Sequence, residues 1–113
     1  KVVLDKHRHA IYFSRAPLPW HRDAFSGNAK VLPTEPDLYY RHIGLYAYRA
    51  GFIKAYLTLA ASPIEKAESL EQLRVWWHGE KIAMDIAMET PGPGIDTDAD
   101  LQKAELMFAD KQL

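Results

Sequence analysis

Asp96 follows the turn Pro91-Gly92-Pro93-Gly94 and stands just before a helix start. A carboxylate held there offers hard oxygen donors to a cation such as Mg2+. Asp also occurs at such places as an ordinary turn or helix-start residue. His42, Gly44, Tyr46 and Tyr48 alternate along one segment, so strand geometry sets them on a common face. Gly44 leaves room there for a ligand to approach the backbone; the same face also reads as a half-exposed strand with aromatic cross-strand pairs. Glu68, Glu71 and Gln72 share one side of a helix, as hydroxyl acceptors and, for Gln72, donors, or simply as its solvated side. Arg15, at a strand end, could grip a carboxylate or phosphate bidentately or be a surface arginine. His7 and His9 have no third ligand nearby, so no metal site is expected at them. No phosphate-cradling glycine loop, HExxH or nucleophile elbow occurs in the sequence.

The elements that must hold these residues follow from periodicity and punctuation. Residues 2–4 and 10–14 read as two short strands, joined by the polar loop Asp5-Lys6-His7-Arg8-His9. From 16 to about 38, Pro17, Pro19, Gly27, Pro33 and Pro36 predict one long irregular loop, a length usually functional or disordered. Residues 41–49 predict a strand with Ile43, Leu45 and Ala47 turned to the core. A helix is predicted from 50 to about 59, with Phe52, Ile53, Tyr56 and Leu57 at helical spacing. Ser62, Pro63 and Glu65 form the strongest helix start in the chain, an N-cap, a first-turn proline and a capping box. Gly79 is placed to end that helix, with Leu70, Leu73 and Trp77 on its inner side. Residues 81–88 predict a further strand, and Thr97 with Asp100 opens a terminal helix. The order strand, strand, loop, strand, helix, helix, strand, helix predicts a mixed α/β or α+β architecture.

Bulk properties limit the partners. At 113 residues there is room for one core. Apolar content of 48% beside 26% charged residues is that of a folded globular chain rather than a disordered tail. A net charge of −1 without a basic run argues against nucleic-acid binding through phosphate neutralisation. The absence of cysteine excludes disulfides and thiolate metal sites and fits a cytoplasmic location. No apolar run approaches the roughly 20 residues of a membrane-spanning helix, so no membrane partner is expected. Lys1 leads directly into the strand-like Val2-Val3-Leu4 without an initiator Met, and a strand there needs a neighbour. The expectation is a piece of a longer chain.

Four ordered strings carry more than this. Tyr12-Phe13-Ser14-Arg15-Ala16-Pro17-Leu18-Pro19-Trp20, Arg41-His42-Ile43-Gly44-Leu45-Tyr46-Ala47-Tyr48-Arg49, Ser69-Leu70-Glu71-Gln72-Leu73-Arg74 and Gly94-Ile95-Asp96-Thr97 resemble blocks of the CMP-KDO synthetases, the 3-deoxy-manno-octulosonate cytidylyltransferases. The resemblance runs from residue 1 to about 103. It implies the C-terminal portion of a nucleotide-diphospho-sugar transferase type of α/β fold with a mixed sheet, residues 1–113 forming the sugar-binding and dimerisation side of one domain. It implies an enzyme of lipopolysaccharide biosynthesis that joins CTP to KDO with release of diphosphate, as a homodimer with Mg2+. Asp96 then matches the family's catalytic, metal-binding aspartate. His42, Tyr46, Glu71 and Gln72 match positions lining the sugar-acid pocket, and Arg15 matches a motif arginine near it. The phosphate loop and second metal-binding aspartate of such enzymes are not in these 113 residues, so the chain by itself is expected to be inactive. A sialic acid cytidylyltransferase is disfavoured by the Arg-His-Ile-Gly-Leu-Tyr block; a stand-alone dimerisation or interaction module on the same scaffold is the alternative of a different class.

Overall fold

Residues 1–27, 33 and 35–110 are described by a computed structural model. The strands β1 (Val2–Leu4) and β2 (Ala10–Phe13) pair antiparallel, with Val2 opposite Phe13 and an irregularity between Val3 and Leu4. Asp5 shapes the loop between them: its Oδ1 accepts the N–H groups of His7 and His9, each at 2.8 Å. That local carboxylate-to-backbone turn supports the left-handed backbone of Arg8, at φ 60°.

Five helices follow: α1 (Arg22–Phe25), α2 (Ala50–Tyr56), α3 (Pro63–Glu68), α4 (Leu73–Trp77) and α5 (Asp98–Ala109). The start of α3 is as predicted. The Ser62 hydroxyl accepts the Glu65 N–H at 3.1 Å, and the Glu65 carboxylate accepts the Ser62 N–H at 3.0 Å. The Glu65 carboxylate also receives Nε and Nη2 of Arg74 on α4, and the Arg74 guanidinium lies 5.0 Å from the centre of the Tyr56 ring. One ion pair and one cation–π contact thus fasten α2, α3 and α4 together. Val2, Ala10, Phe13 and Leu73 form the buried core, with Tyr12, Ile64, Leu70 and Met84 among the side chains packed on it.

The long loop expected from 16 to about 38 contains the short helix α1, which the prolines around it hid; its residues 28–32 and 34 lie outside the described residues. The single helix expected between Ser62 and Gly79 is two helices. Ser69 adopts a left-handed conformation at φ 51°, and the Leu70 N–H returns to the Glu65 carbonyl at 3.2 Å, which ends α3. The break also undoes the expected inner position of Trp77, which is exposed.

The strands expected at 41–49 and 81–88 are not paired into a sheet, and the first is interrupted at Gly44, at φ 87°. Each edge meets the hairpin at one bridge, Tyr40 with Val2 and Ala83 with His9. A strand is defined by a neighbour's hydrogen bonds, and among the described residues these segments have no further one. Ile43 and Leu45, expected in the core, are 47% and 90% exposed for the same reason. A compact monomer of this mass exposes roughly 6,300 Å2; this chain exposes 9347 Å2. Helix α5 begins with the predicted capping box of Thr97 and Asp100, yet buries none of its residues. No helix among the described residues is long and apolar enough to cross a membrane.

Candidate functional site

A cleft of about 890 Å3 lies between segments 41–49 and 80–88, with Phe52, Gln72 and Val75 completing its lining. The hairpin positions the first segment: the Phe13 ring meets His42 edge-on at 5.2 Å. Gly44, at φ +87°, takes a turn in the left-handed region that suits glycine. Across it, the hydroxyl of Tyr46 and Nε2 of His42 share a hydrogen bond at 2.5 Å. Burial pulls the His42 pKa down from its ordinary value and pushes that of Tyr46 up. At neutral pH the pair is therefore a protonated phenol beside an uncharged imidazole. From Tyr46 the aromatic row continues to Tyr48 at 6.0 Å and Phe52 at 6.2 Å, both stacked, and then to Tyr56.

The short helix α4 supplies the other wall. Because α3 stops at Ser69, Gln72 lies at the N-cap of α4, where it is 2% exposed. Its Nε2 is buried and has no hydrogen-bond partner among the described residues. A buried amide donor left unpaired costs on the order of 1–3 kcal/mol, and such exceptions call for a reason. Here the amide borders the cleft, and a ligand oxygen would satisfy it. Glu71, beside it, is exposed, and its negative charge acts on the titration of His42, Tyr46 and Tyr48. The backbone carbonyl of Glu71 receives the Tyr56 hydroxyl at 3.4 Å.

Of the residues picked out by sequence, His42, Tyr46 and Gln72 line this one cleft, and Glu71 acts on it from the adjoining position. Arg15 and Asp96 do not line it. Arg15 sits at the end of β2, with Nε on the Glu68 carbonyl at 2.8 Å and Nη2 on the Ser69 carbonyl at 3.2 Å. Asp96 is exposed in the irregular segment before α5. Sequence reasoning missed Phe52 as a lining residue and Tyr56 as a support. Their signal was the four-residue spacing of Tyr48, Phe52 and Tyr56, which α2 converts into a stripe. It kept Gln72 both as a partner for hydroxyls and as part of a solvated face, and did not foresee its burial, because it ran one helix through Ser69.

No serine, threonine or cysteine is among the residues lining the cleft, and burial keeps the Tyr46 phenol protonated. The cleft's tools are hydrogen-bond donors and acceptors set against aromatic faces, which suit a small polyhydroxylated molecule.

A cytidylyltransferase family model matches residues 1–82. The chain belongs to the cytidylyltransferase family. Its similar proteins include the 3-deoxy-manno-octulosonate cytidylyltransferases of Neisseria meningitidis serogroup A strain Z2491 and serogroup B strain MC58. Each is 54% identical over 96% of this chain and 42% of its own length. Among solved structures, a CMP:2-keto-3-deoxy-manno-octonic acid synthetase complexed with CTP superposes with a TM-score of 0.79 at 38% identity, over 97% of this chain and 41% of that one. The cytidylyltransferase chain thus spans about 42% of the length of the curated relatives it matches. The likeness, with the helices and small antiparallel sheet of this chain, makes it a mixed α/β piece of that fold.

Proposed function

We propose that this chain forms the sugar-acid side of an enzyme that transfers CMP from CTP to 3-deoxy-manno-octulosonate. The observation that carries the reading is one cleft lined by the His42–Tyr46 pair together with Gln72, whose buried Nε2 has no hydrogen-bond partner among the described residues. Gln72 donates to a sugar oxygen, Glu71 accepts from a hydroxyl, and the His42-bound Tyr46 presents its phenol oxygen as an acceptor. The aromatic row gives the C–H faces of the sugar an apolar wall. Held so, the anomeric hydroxyl attacks the α-phosphorus of CTP. The new O–P bond forms as the α–β phosphoanhydride bond breaks, and diphosphate leaves with the bonding pair. The hydroxyl proton passes to solvent. The chain's part in this is orientation, which lowers the barrier by fixing the attacking group.

Asp96 has the chemistry to hold Mg2+: an exposed carboxylate without a side-chain partner among the described residues, where the neighbouring Asp100 is committed to the Thr97 cap. Mg2+ is commonly bound by one or two carboxylates together with substrate phosphates, and it would offset charge on the triphosphate. A homodimer in the cytoplasm, serving lipopolysaccharide synthesis, completes the proposal.

The test is diphosphate release by the complete protein given CTP, KDO and Mg2+, against the same mixture without KDO. KDO-dependent release supports the reading. Release with a sialic acid and not with KDO, or none with either, overturns it.

A further inference from the structure

The last residue of α3 is bound through both side chain and backbone to the end of β2. The Glu68 carboxylate accepts the Ser14 hydroxyl at 2.5 Å and the Arg15 N–H at 3.1 Å. The Glu68 carbonyl accepts Nε of Arg15, and the Ser69 carbonyl accepts its Nη2. Ser14 is 3% exposed, and its hydroxyl oxygen also takes the N–H of Ala16 at 3.0 Å. Hydrogen bonds from Ser14 and Arg15 hold the Glu68 carboxyl below its ordinary pKa, so the acceptor is ionised at neutral pH.

What this knot holds is the left-handed Ser69, at φ 51°. That conformation costs a non-glycine residue about 1–2 kcal/mol and persists where surroundings over-determine it. The guanidinium of Arg15 sits on carbonyls at the C-terminal end of α3, where the helix is partially negative. Glu71 and Gln72 come two and three residues beyond Ser69. Had α3 continued through 69, Gln72 would share the solvated side with Glu68, as helical spacing predicts; the turn at Ser69 is what buries it beside the cleft.

We infer that Glu68 is a positioning residue of the sugar-acid site: by tying Ser14 and Arg15 to the end of α3, it fixes the Ser69 turn that delivers Glu71 and Gln72. This rests on the cleft being the sugar-acid site, as proposed above. Glu68 itself touches no substrate. Its loss should therefore loosen the sugar acid and leave CTP alone.

The experiment is steady-state kinetics of the complete enzyme, with KDO and CTP varied separately and melting followed alongside. Glu68→Gln keeps an oxygen for Ser14, but its amide nitrogen cannot accept the Arg15 N–H. The KM for KDO should rise about tenfold while the CTP KM and kcat stay within about twofold. Ser14→Ala, which removes the partner and spares the carboxylate, should move the KDO KM the same way. Glu68→Ala should exceed both; if it fails to fold, the other two variants decide. A lowered melting temperature with unchanged KM values, or equal rises for both substrates, would reduce Glu68 to a structural brace and overturn the inference. If the unsubstituted enzyme uses KDO normally and Glu68→Gln shows its KM, the positioning role alone falls. Absence of KDO-dependent turnover in the unsubstituted enzyme removes the functional reading, and the inference with it.

Discussion

The hairpin with α3 and α4 and the arm formed by residues 80–96 with α5 are built from similar local signals, and they end in different states. In the first, a Ser62–Glu65 capping box opens α3 where Ser62 is fully buried, and Leu73 and Gln72 are nearly so. In the second, a Thr97–Asp100 capping box opens α5, and none of the twelve helical residues is buried. Leu101, Leu106, Met107 and Phe108 stand in solvent. Both helices begin where the sequence says, because a cap is a contract between residues three apart. What a helix packs against is settled by residues far away in the chain. The first region finds them in β1 and β2; the second meets the hairpin only through residues 82–85, and α5 itself buries nothing. Long-range tertiary contacts, rather than propensity, supply most helix stability in proteins.

Asp96 offers the largest break in this comparison, since it places a catalytic demand on the exposed arm. In the complete enzyme, Asp96→Asn keeps shape and turn propensity but removes the charge that favours a hard cation. Turnover should fall on the order of a hundredfold or more, while melting stays within a degree or two. Rates across a magnesium titration check this. Near-normal turnover at ordinary magnesium would make Asp96 a turn residue and leave the arm without chemistry.

A smaller effect belongs to Tyr46, which joins the pinned hairpin to the cleft. Tyr46→Phe deletes the hydroxyl at Nε2 of His42 and retains the ring stacked on Tyr48. The KDO requirement should rise about tenfold, the worth of one good hydrogen bond, with the CTP requirement nearly unchanged. Equal damage to both substrates, or a fall in melting temperature alone, would assign that face to structure instead.

How much of this was legible in the sequence divides along the same line. Local contracts were readable: the two short strands, the polar loop between them and both capping boxes; the turn expected at 91–94 did not form as such. That His42 and Tyr46 belong together was readable, but not how they meet: an extended strand would set them about 13 Å apart, and the turn at Gly44 brings them into contact. The core role given to Ile43 and Leu45 was not readable, since it required a covering layer that lies elsewhere. Nor was the break at Ser69, which no glycine announces. It depends on Arg15 and Glu68 meeting across 53 residues, and a helical pattern has no term for that. The burial of Gln72 was lost with it.

The pH dependence of folding sharpens the comparison further. Burial lowers the His42 pKa below the 6.5 of a free histidine. Between the two values the unfolded chain binds more protons than the folded one, so stability rises with pH in that window. Stability from this source is complete above pH 6.5 and declines as the medium is acidified below it. Glu65 and Glu68, whose pKa values lie below the ordinary 4.5, act in the same sense only at lower pH. Melting should therefore fall modestly from pH 7 to pH 5. His42→Gln should flatten that stretch and leave the steeper loss below pH 4.5 intact. A profile unchanged by His42→Gln would mean that the imidazole is not buried as described.

The smallest effects test the two caps directly. Ser62→Ala removes a hydroxyl that serves the Glu65 N–H inside a packed, buried junction. It also loosens Glu65, which must receive Arg74 at the same time. The expected cost is about 1–2 kcal/mol of global stability, the upper part of the range for N-cap loss. Thr97→Ala deletes the equivalent hydroxyl at the start of α5. An isolated helix shorter than about 12–15 residues is marginal in water, so α5 frays as a local unit in the 113-residue chain. Thr97→Ala should shift that local equilibrium by about 0.5–1 kcal/mol, seen as faster amide exchange and weaker helical dichroism across Asp98–Ala109. The main melting transition should move by less than about half a kcal/mol. The two substitutions remove the same group from the same motif, so a difference between them isolates packing from capping. Equal global losses would show that α5 is coupled to the core, and the division of the chain into a pinned and an unpartnered region would not stand.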